Sequence, residues 1–152
     1  MQHPERTTDE STLWEMKESA KRANEIYRVW SMWLTTAFAE GKDPDCSAAF
    51  TQGGLLEVST PVGKAYGVKT FIDMGGETVV RVVFYIAPVA ELELRAREVY
   101  AVLIQENHEI YNGDESATPW PMKNSAIPWS NSAAQKFFYE IMLALLADGE
   151  PE

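Results

Sequence analysis

The sequence predicts an α+β fold, in which an antiparallel sheet of three or more strands is covered by a long N-terminal helix, a middle helix and a C-terminal helix. Residues 77–88 form the most β-prone run, rich in β-branched and aromatic residues that suit a pleated strand. Apolar or small residues recur at alternating spacings of three and four over residues 13–37, which is typical of an amphipathic helix. A wide apolar face over residues 134–146 predicts the helix that closes the chain.

The length of 152 residues is that of one domain. We expect a flexible tail over residues 1–8, a single α+β domain over residues 9–147 and an acidic tail over residues 148–152. Ser132 and Gln135 have the spacing of a capping box, so the closing helix is predicted to begin there.

The N-terminal helix is predicted to begin between Thr7 and Asp9, since Thr7 forms the spacing of a capping box with Glu10, and to end at Gly41. The second half of its stripe carries large residues such as Trp30 and is expected to lie in the core. The first half is narrower, and it packs either on the same domain or on a second chain. We expect a homodimer through this half, with an interface formed by Leu13, Met16, Ala20 and Ala23.

Local signals after this helix predict a short helix and then three strands. Asp43, Pro44 and Asp45 have the order of an N-cap, a first helical residue and a first-turn acid, so a short helix is predicted over residues 44–52. A hairpin turn with two glycines is predicted at residues 74–77. The predicted strands of the resulting meander are residues 55–60, 66–73 and 77–88.

The middle helix is predicted over residues 88–107, because apolar residues recur there mainly at helical spacing. Alternation of Glu and Leu over residues 91–95 is a competing strand signal. Residues 113–131 are predicted to be irregular, with short strands as an alternative near residues 108–112 and 120–127.

Two tryptophans, Trp120 and Trp129, lie in similar Pro-Trp settings in this irregular segment. One interpretation is that both indoles plug the edge of the core and pin the loop. The other is an aromatic contact surface for a partner or ligand, since Trp is enriched at interface hot spots.

The acidic balance bears on the partners of the protein. The net charge of −10 argues against a general binder of nucleic acid or anionic membrane, which needs a basic patch. Three interpretations remain: solubility, a surface for a basic protein partner, and mimicry of nucleic-acid phosphates. A single cysteine, Cys46, indicates a reducing compartment, and no apolar signal-peptide core or long apolar run is present. We expect a cytoplasmic protein.

Few residues carry catalytic or ligand-binding signals. No glycine-rich phosphate loop occurs, and one Cys with two His cannot build a structural zinc site, so no metal and no cofactor are predicted. His108 lies near Glu106 and Glu109 and is either a general base or an exposed polar group. Arg81 is the one charge inside the central strand, and it either faces solvent or pairs with an acid such as Glu57 or Asp73. A candidate pocket is therefore formed by Arg81, Glu106 and His108.

The order of helix, three strands, helix, irregular segment and closing helix, with the small size and acidic charge, resembles the fold of type III secretion chaperones and the related YbjN-type proteins. The resemblance covers residues 55–147, with the strand at residues 79–86, the following helix at residues 88–105 and Asn107 at its end. It implies a dimer that wraps an unfolded stretch of a partner protein.

The function predicted from these observations is protein binding without catalysis, by a small acidic adaptor, chaperone-like or inhibitor protein from a bacterium or its phage. The alternatives are a small-molecule-binding domain or enzyme with a pocket between sheet and helices, and an acidic nucleic-acid mimic. The expected partner contacts are Trp14, Trp120, Trp129, Asp114 and Glu115.

Overall fold

A six-stranded antiparallel sheet and two helices make up the described part of the chain. The structure is a computed structural model that describes residues 4–86, 97–107, 109–113, 120 and 131–148, with the side chains of residues 4–9 and 148 excepted. The strands follow one another in the sheet in the order of the sequence, β1-β2-β3-β4-β5-β6. The elements are α1 Pro4–Ala37, β1 Ser47–Phe50, β2 Leu56–Thr60, β3 Gly63–Met74, β4 Glu77–Tyr85, β5 Glu98–Ile104, β6 Ile110–Asn112 and α2 Asn131–Asp148.

The hairpin between β3 and β4 forms where the sequence predicts it. Met74 pairs with Glu77, and Gly75 and Gly76 between them have φ angles of 62° and 92°. Positive φ at both central residues is the requirement of a two-residue turn that matches the twist of the strands, and glycine meets it without strain. The predicted meander of three strands is therefore confirmed, as the centre of the larger sheet.

The central strand β4 is buried on both faces. Val80 and Val82 point into the main core together with Phe84, while Val79 and Val83 on the opposite face are also buried. This agrees with the apolar character of the strand on both faces. On β3, Gly67 makes room for the aromatic ring of Phe84, since a Cβ atom at position 67 would lie 2.8 Å from the Phe84 Cε1 atom.

The two helices cover the sheet from the core side. Helix α1 contacts β4, β1 and β5, and α2 contacts β5 and β3. The buried apolar residues of α1 repeat at spacings of three and four, and they are Ala23, Ile26, Trp30 and Leu34, followed by Phe38 just after the helix. The prediction that the second half of this helix lies in the core is confirmed. Helix α1 begins at Pro4, earlier than the predicted start at residues 7–9.

Aromatic rings join the two helices. The Trp30 ring lies 5.7 Å from the Trp120 ring and 6.2 Å from the Phe137 ring, in edge-to-face geometry. Edge-to-face pairs of this kind stabilise a core beyond the apolar area that they bury. The closing helix α2 agrees with the predicted helix at residues 132–147 to within one residue at each end.

The predicted short helix at residues 44–52 is wrong. The Asp43 carboxylate does accept hydrogen bonds from the backbone N–H groups of Asp45 and Cys46, at 2.7 and 2.9 Å, as an N-cap residue would. However, Ser47–Phe50 forms β1 and pairs with β2, and Ala48 enters the core. Sheet pairing and burial have therefore overridden a local helix signal.

The predicted middle helix is also wrong over the residues that the structure describes. Glu98–Ile104 is the strand β5, which pairs with β4 from Tyr85 to Val80, and residues 87–96 lie outside the described part. The apolar run at residues 99–104 has no polar interruption, and periodicity cannot separate a short buried strand from a helix in such a run. The strand alternative near residues 108–112 is confirmed by β6.

Within the described residues, neither helix combines enough length with enough apolar character to cross a lipid bilayer.

Candidate functional site

Helix α1 extends past the end of the sheet. Ser19 is the first buried side chain among those described in α1, and its Oγ atom accepts a 3.0 Å hydrogen bond from the backbone N–H of Thr78, the second residue of β4. Residues 10–17, which precede this contact, are all exposed. The fifteen helical residues before Ser19 span roughly 22 Å along the helix axis. We call this part of α1, residues 4–18, the overhang.

A polar network fixes the base of the overhang. The Ser19 hydroxyl donates a 2.5 Å hydrogen bond to Glu106 Oε2, and Arg22 Nε donates to Glu106 Oε1 at 2.7 Å. Glu106 lies in the turn between β5 and β6, so the network joins α1 to that turn. The hydrogen bond from Ser19 and the ion pair with Arg22 keep the pKa of the Glu106 carboxyl below its usual range.

A cleft of about 540 Å³ lies beside the overhang, between α1, the β3–β4 turn and the β5–β6 turn. Trp14 stands at its rim with 62% of the residue surface exposed. Four carboxylates and one guanidinium carry the charges of the lining, so the cleft is acidic. The lining residues are Trp14, Glu15, Glu18, Ser19, Arg22, Gly76, Glu77, Glu106 and Asn107.

The lining of this cleft is better suited to contact with a cation than to nucleophilic catalysis. The described lining contains no His or Cys, and the Ser19 hydroxyl is hydrogen-bonded to a carboxylate whose basicity Arg22 lowers. A nucleophilic serine needs a base that accepts its proton, and Glu106 is a weak one. A carboxylate-rich cleft with an exposed indole instead suits an ammonium or guanidinium group. No group of three or more His, Cys, Asp or Glu in the described residues is placed to hold a metal ion.

The predicted partner contacts divide into two groups. Trp14 is exposed on the overhang, whereas Trp120 is a core residue with 2% exposure. The Trp120 Nε1–H donates a 2.5 Å hydrogen bond to Asn112 Oδ1, and its backbone N–H donates to Ile110. Trp120 therefore packs in the core, as the first of the two interpretations of the Pro-Trp segment predicts for this residue. The other predicted contacts, Asp114, Glu115 and Trp129, lie outside the described residues.

Arg81 and Glu106, the two described residues of the predicted pocket, are on different sides of the sheet. Arg81 points away from the face that carries Val80 and Val82, and Arg81 Nη2 lies 2.8 Å from Glu98 Oε2. Glu98 is thus a partner of Arg81, and no ion pair of Arg81 with the predicted Glu57 or Asp73 occurs in the described part of the chain. Glu106 contacts α1 on the opposite, core-facing side. His108 lies outside the described residues.

The predicted dimer contacts also separate. Leu13 and Met16 are exposed on the overhang, and Ala20 is partly buried. Ala23 is completely buried in the core of its own chain. A second copy can therefore reach the first two residues, whereas Ala23 packs within the protomer.

Ser19, Arg22 and Glu77 were not predicted as site residues. The position of Ser19 in the sequence does indicate that it is buried. It lies four residues before Ala23 and therefore on the helix face that enters the core. A polar residue at such a position needs a hydrogen-bond partner. The partner, Glu106, is 87 positions away in the sequence, so the pair could not be read from spacing.

A second cleft, of about 440 Å³, lies beside β1 and is also lined by acids, among them Glu40 and Asp45. Its described lining contains no aromatic ring. It therefore offers charge without the stacking surface that Trp14 provides.

No protein-family model, no curated protein and no solved structure matches the chain. Function is therefore inferred from the geometry of the site.

Proposed function

We propose that the protein is a non-catalytic protein-binding module, of the adaptor, chaperone-like or inhibitor kind, that docks a cationic segment of a partner protein against the overhang and its cleft. The observation that supports this most directly is the exposed indole of Trp14 at the rim of a cleft lined by Glu15, Glu18, Glu77 and Glu106.

An indole combined with carboxylates favours the binding of a cation more than either group does alone. A cation over an exposed indole contributes about 0.5–1 kcal/mol, and more when the pair is desolvated. Exposed ion pairs alone contribute about 0–1 kcal/mol each, so carboxylates without an aromatic ring make a weak and unselective site. Trp and Arg are also the residues that dominate measured interface energies.

Preorganisation supports the same proposal. The overhang continues a helix whose base is fixed by the Ser19, Arg22 and Glu106 network. A partner that docks there loses its own conformational entropy but orders little of this protein, which favours affinity. We further propose that the protein acts in the cytoplasm, which the single free thiol of Cys46 supports.

The test uses a fluorescently labelled peptide of about ten residues, rich in Lys and Arg, and measures its anisotropy during titration with the protein. We expect binding that Trp14→Ala weakens by about fivefold, since one cation–π contact is lost. Glu15→Gln removes a charge from the cleft and should weaken binding as well. Glu10→Gln is the matched control, because it removes one charge from the same helix outside the cleft lining.

Equal losses for Glu10→Gln and Glu15→Gln, with none for Trp14→Ala, would mean that the peptide senses only the overall negative field. That result, or an absence of binding at low salt, would contradict the proposed site. A peptide of the same length rich in Glu serves as the negative control.

A further inference from the structure

One wall of the cleft places an aromatic ring directly beside a carboxylate. Trp14 and Glu18 both line the cleft and are four residues apart on α1, so they lie on neighbouring turns of one helix face, about 6 Å apart along the axis. The Trp14 residue is 62% exposed, whereas the Glu18 side chain is only 31% exposed. The indole is therefore open to a ligand, and the carboxylate lies deeper in the cleft beside it.

The facing wall adds a second carboxylate. Glu77, the first residue of β4, lines the cleft across from α1. The backbone N–H of Glu106 donates a long hydrogen bond of 3.4 Å to Glu77 Oε2, which ties this carboxylate to the β5–β6 turn. A cation that rests on the Trp14 ring therefore has one carboxylate on the same wall, from Glu18, and one on the facing wall.

A guanidinium group matches this combination better than an ammonium group does. The guanidinium is planar and weakly hydrated, so its face stacks on an indole while its five N–H donors point outward in the plane toward carboxylate oxygens. An ammonium is a compact and strongly hydrated charge, which loses more of its hydration when it rests on a ring. Ring and carboxylates can thus act together on one guanidinium.

Ion pairs on the surface of α1 show the same contrast between arginine and lysine. Arg28 donates from Nε and from Nη2 to the two carboxylate oxygens of Glu25, at 3.1 and 2.5 Å. Lys21 donates to Oε2 of Glu18 at 3.2 Å. The arginine engages both oxygens of its partner, which is the bidentate geometry that the planar fork permits and a point charge does not.

A quaternary ammonium ligand suits the cleft less well. Such groups bind in cages built from several aromatic rings. Trp14 is the one aromatic residue in the described lining of the cleft. A quaternary ammonium also has no N–H donor, so it would leave the carboxylates of Glu18 and Glu77 without hydrogen bonds.

We propose that the cleft selects arginine, and that the guanidinium of one arginine in the partner segment stacks on Trp14 and donates hydrogen bonds to Glu18. This selectivity rests on the proposed function, because it specifies which side chain of a cationic segment occupies the cleft. The Lys21 ammonium competes for Glu18, but its side chain is 73% exposed and exposed ion pairs are weak. A bound guanidinium therefore displaces it.

The first experiment compares two fluorescently labelled peptides of about ten residues that carry either Arg or Lys at every cationic position, so that the overall negative field attracts them equally. Anisotropy titrations with the full chain should give a dissociation constant about five to ten times lower for the Arg peptide. The ratio of the two constants should fall toward one with Trp14→Ala and with Glu18→Gln. Glu10→Gln removes a charge outside the described lining and should leave the ratio unchanged.

Lys21 provides a test in the opposite direction. Lys21→Ala removes the competing ammonium from Glu18 and should strengthen binding of the Arg peptide by about threefold. Lys17→Ala is the matched control, because it removes the same charge from an exposed position of the same helix outside the described lining. The gain from Lys21→Ala should exceed that from Lys17→Ala, and the excess should disappear when Glu18→Gln is added. Equal gains from the two lysine variants would contradict the contact with Glu18.

Arginine selectivity and peptide binding can fail separately. Equal affinities of the Arg and Lys peptides, with both weakened by Trp14→Ala, would overturn the selectivity and leave the proposed function in place. A preference for the Arg peptide that persists unchanged in Trp14→Ala and Glu18→Gln would overturn the assignment of the arginine to this wall. Absence of binding by either peptide at low salt would overturn both the selectivity and the proposed function.

Discussion

The hydroxyl of Ser19 donates a 2.5 Å hydrogen bond to the Glu106 carboxylate, across 87 positions of the chain. The same hydroxyl oxygen accepts from the backbone N–H of Thr78. One side chain thus links the N-terminal helix, the start of the central strand and the turn after β5. The rigidity of the candidate binding cleft depends on this link, because Trp14 lies just over one helical turn before Ser19.

Removal of the hydroxyl should destabilise the fold measurably. Ser19→Ala leaves the partly buried Thr78 N–H without its side-chain acceptor, and the loss of such a hydrogen bond costs about 0.5–1.5 kcal/mol. Urea denaturation followed by circular dichroism measures this loss in the free energy of unfolding. Ser11→Ala is the control on the exposed part of the same helix. If both variants unfold at the wild-type urea concentration, Ser19 does not have the role described.

The Glu106 carboxyl should make stability depend on pH in the acidic range. Ser19 and Arg22 stabilise its charged form in the folded state, so its folded pKa lies below the ordinary value of 4.5. A group with a depressed folded pKa contributes stability above its unfolded pKa, and this contribution is lost as the pH falls through the folded pKa. The contribution is therefore complete at neutral pH and declines below pH 4.5.

The measurement compares the melting temperatures of the wild type and Glu106→Gln between pH 3 and pH 7. Other acids titrate in the same range, so the difference between the two proteins is the informative quantity. We expect the wild type to be more stable at pH 7 and the difference to shrink below pH 4.5. A difference that stays constant over the whole range would mean that the charge of Glu106 contributes nothing.

Truncation of Trp120 should destabilise the fold much more than truncation of Trp14. Trp120→Ala removes a buried ring that packs against Trp30 and Phe137 and leaves the Asn112 side chain without its donor. We expect a loss of about 3–5 kcal/mol in the free energy of unfolding. Trp14→Ala, on the exposed overhang, should change stability by less than about 0.5 kcal/mol. Guanidinium denaturation of both variants is the measurement, and comparable losses would contradict the assignment of Trp120 to the core.

Gly67 should not tolerate a methyl group. An added Cβ atom would lie 2.8 Å from Phe84 Cε1 and 3.1 Å from Val82 Cγ1, both in the packed core. Overpacking of this kind costs about 1–3 kcal/mol, which thermal unfolding of Gly67→Ala would measure. Gly53→Ala is the control, since its new methyl meets only the Thr51 Oγ1 atom at 3.9 Å. Phe84→Leu combined with Gly67→Ala should recover part of the loss, because the two changes share one space.

Long or chemically distinctive signals predicted the structure well. The two glycines at positions 75 and 76 fixed a hairpin, and the periodic stripes identified the core half of α1 and the whole of α2. The strands β1 and β5 were missed for a physical reason. Asp43 caps a turn that resembles a helix start, and the run at residues 99–104 has no polar residue to reveal its period. In both places the outcome depends on pairing with a neighbouring strand.

The candidate site was predictable only in part. Trp14 was expected as a contact and is exposed, whereas the acids predicted as contacts with it, Asp114 and Glu115, lie outside the described residues. The acids that line the cleft come from three separate segments, represented by Glu18, Glu77 and Glu106. Their convergence depends on the path of the chain, which local patterns do not encode.

The order of the strands allows the sheet to begin to form while the chain is still bound to the ribosome. Because every strand pairs with its neighbour in sequence, the sheet can assemble hairpin by hairpin as the chain emerges. Helix α1 can pack on β1 and β4 as they form, but the contact of Trp30 with Phe137 has to wait for more than a hundred further residues. At typical elongation rates that delay is roughly 5–20 s. During this interval the side of Trp30 that faces Phe137 is uncovered, so the nascent chain is more prone to aggregate than the folded protein.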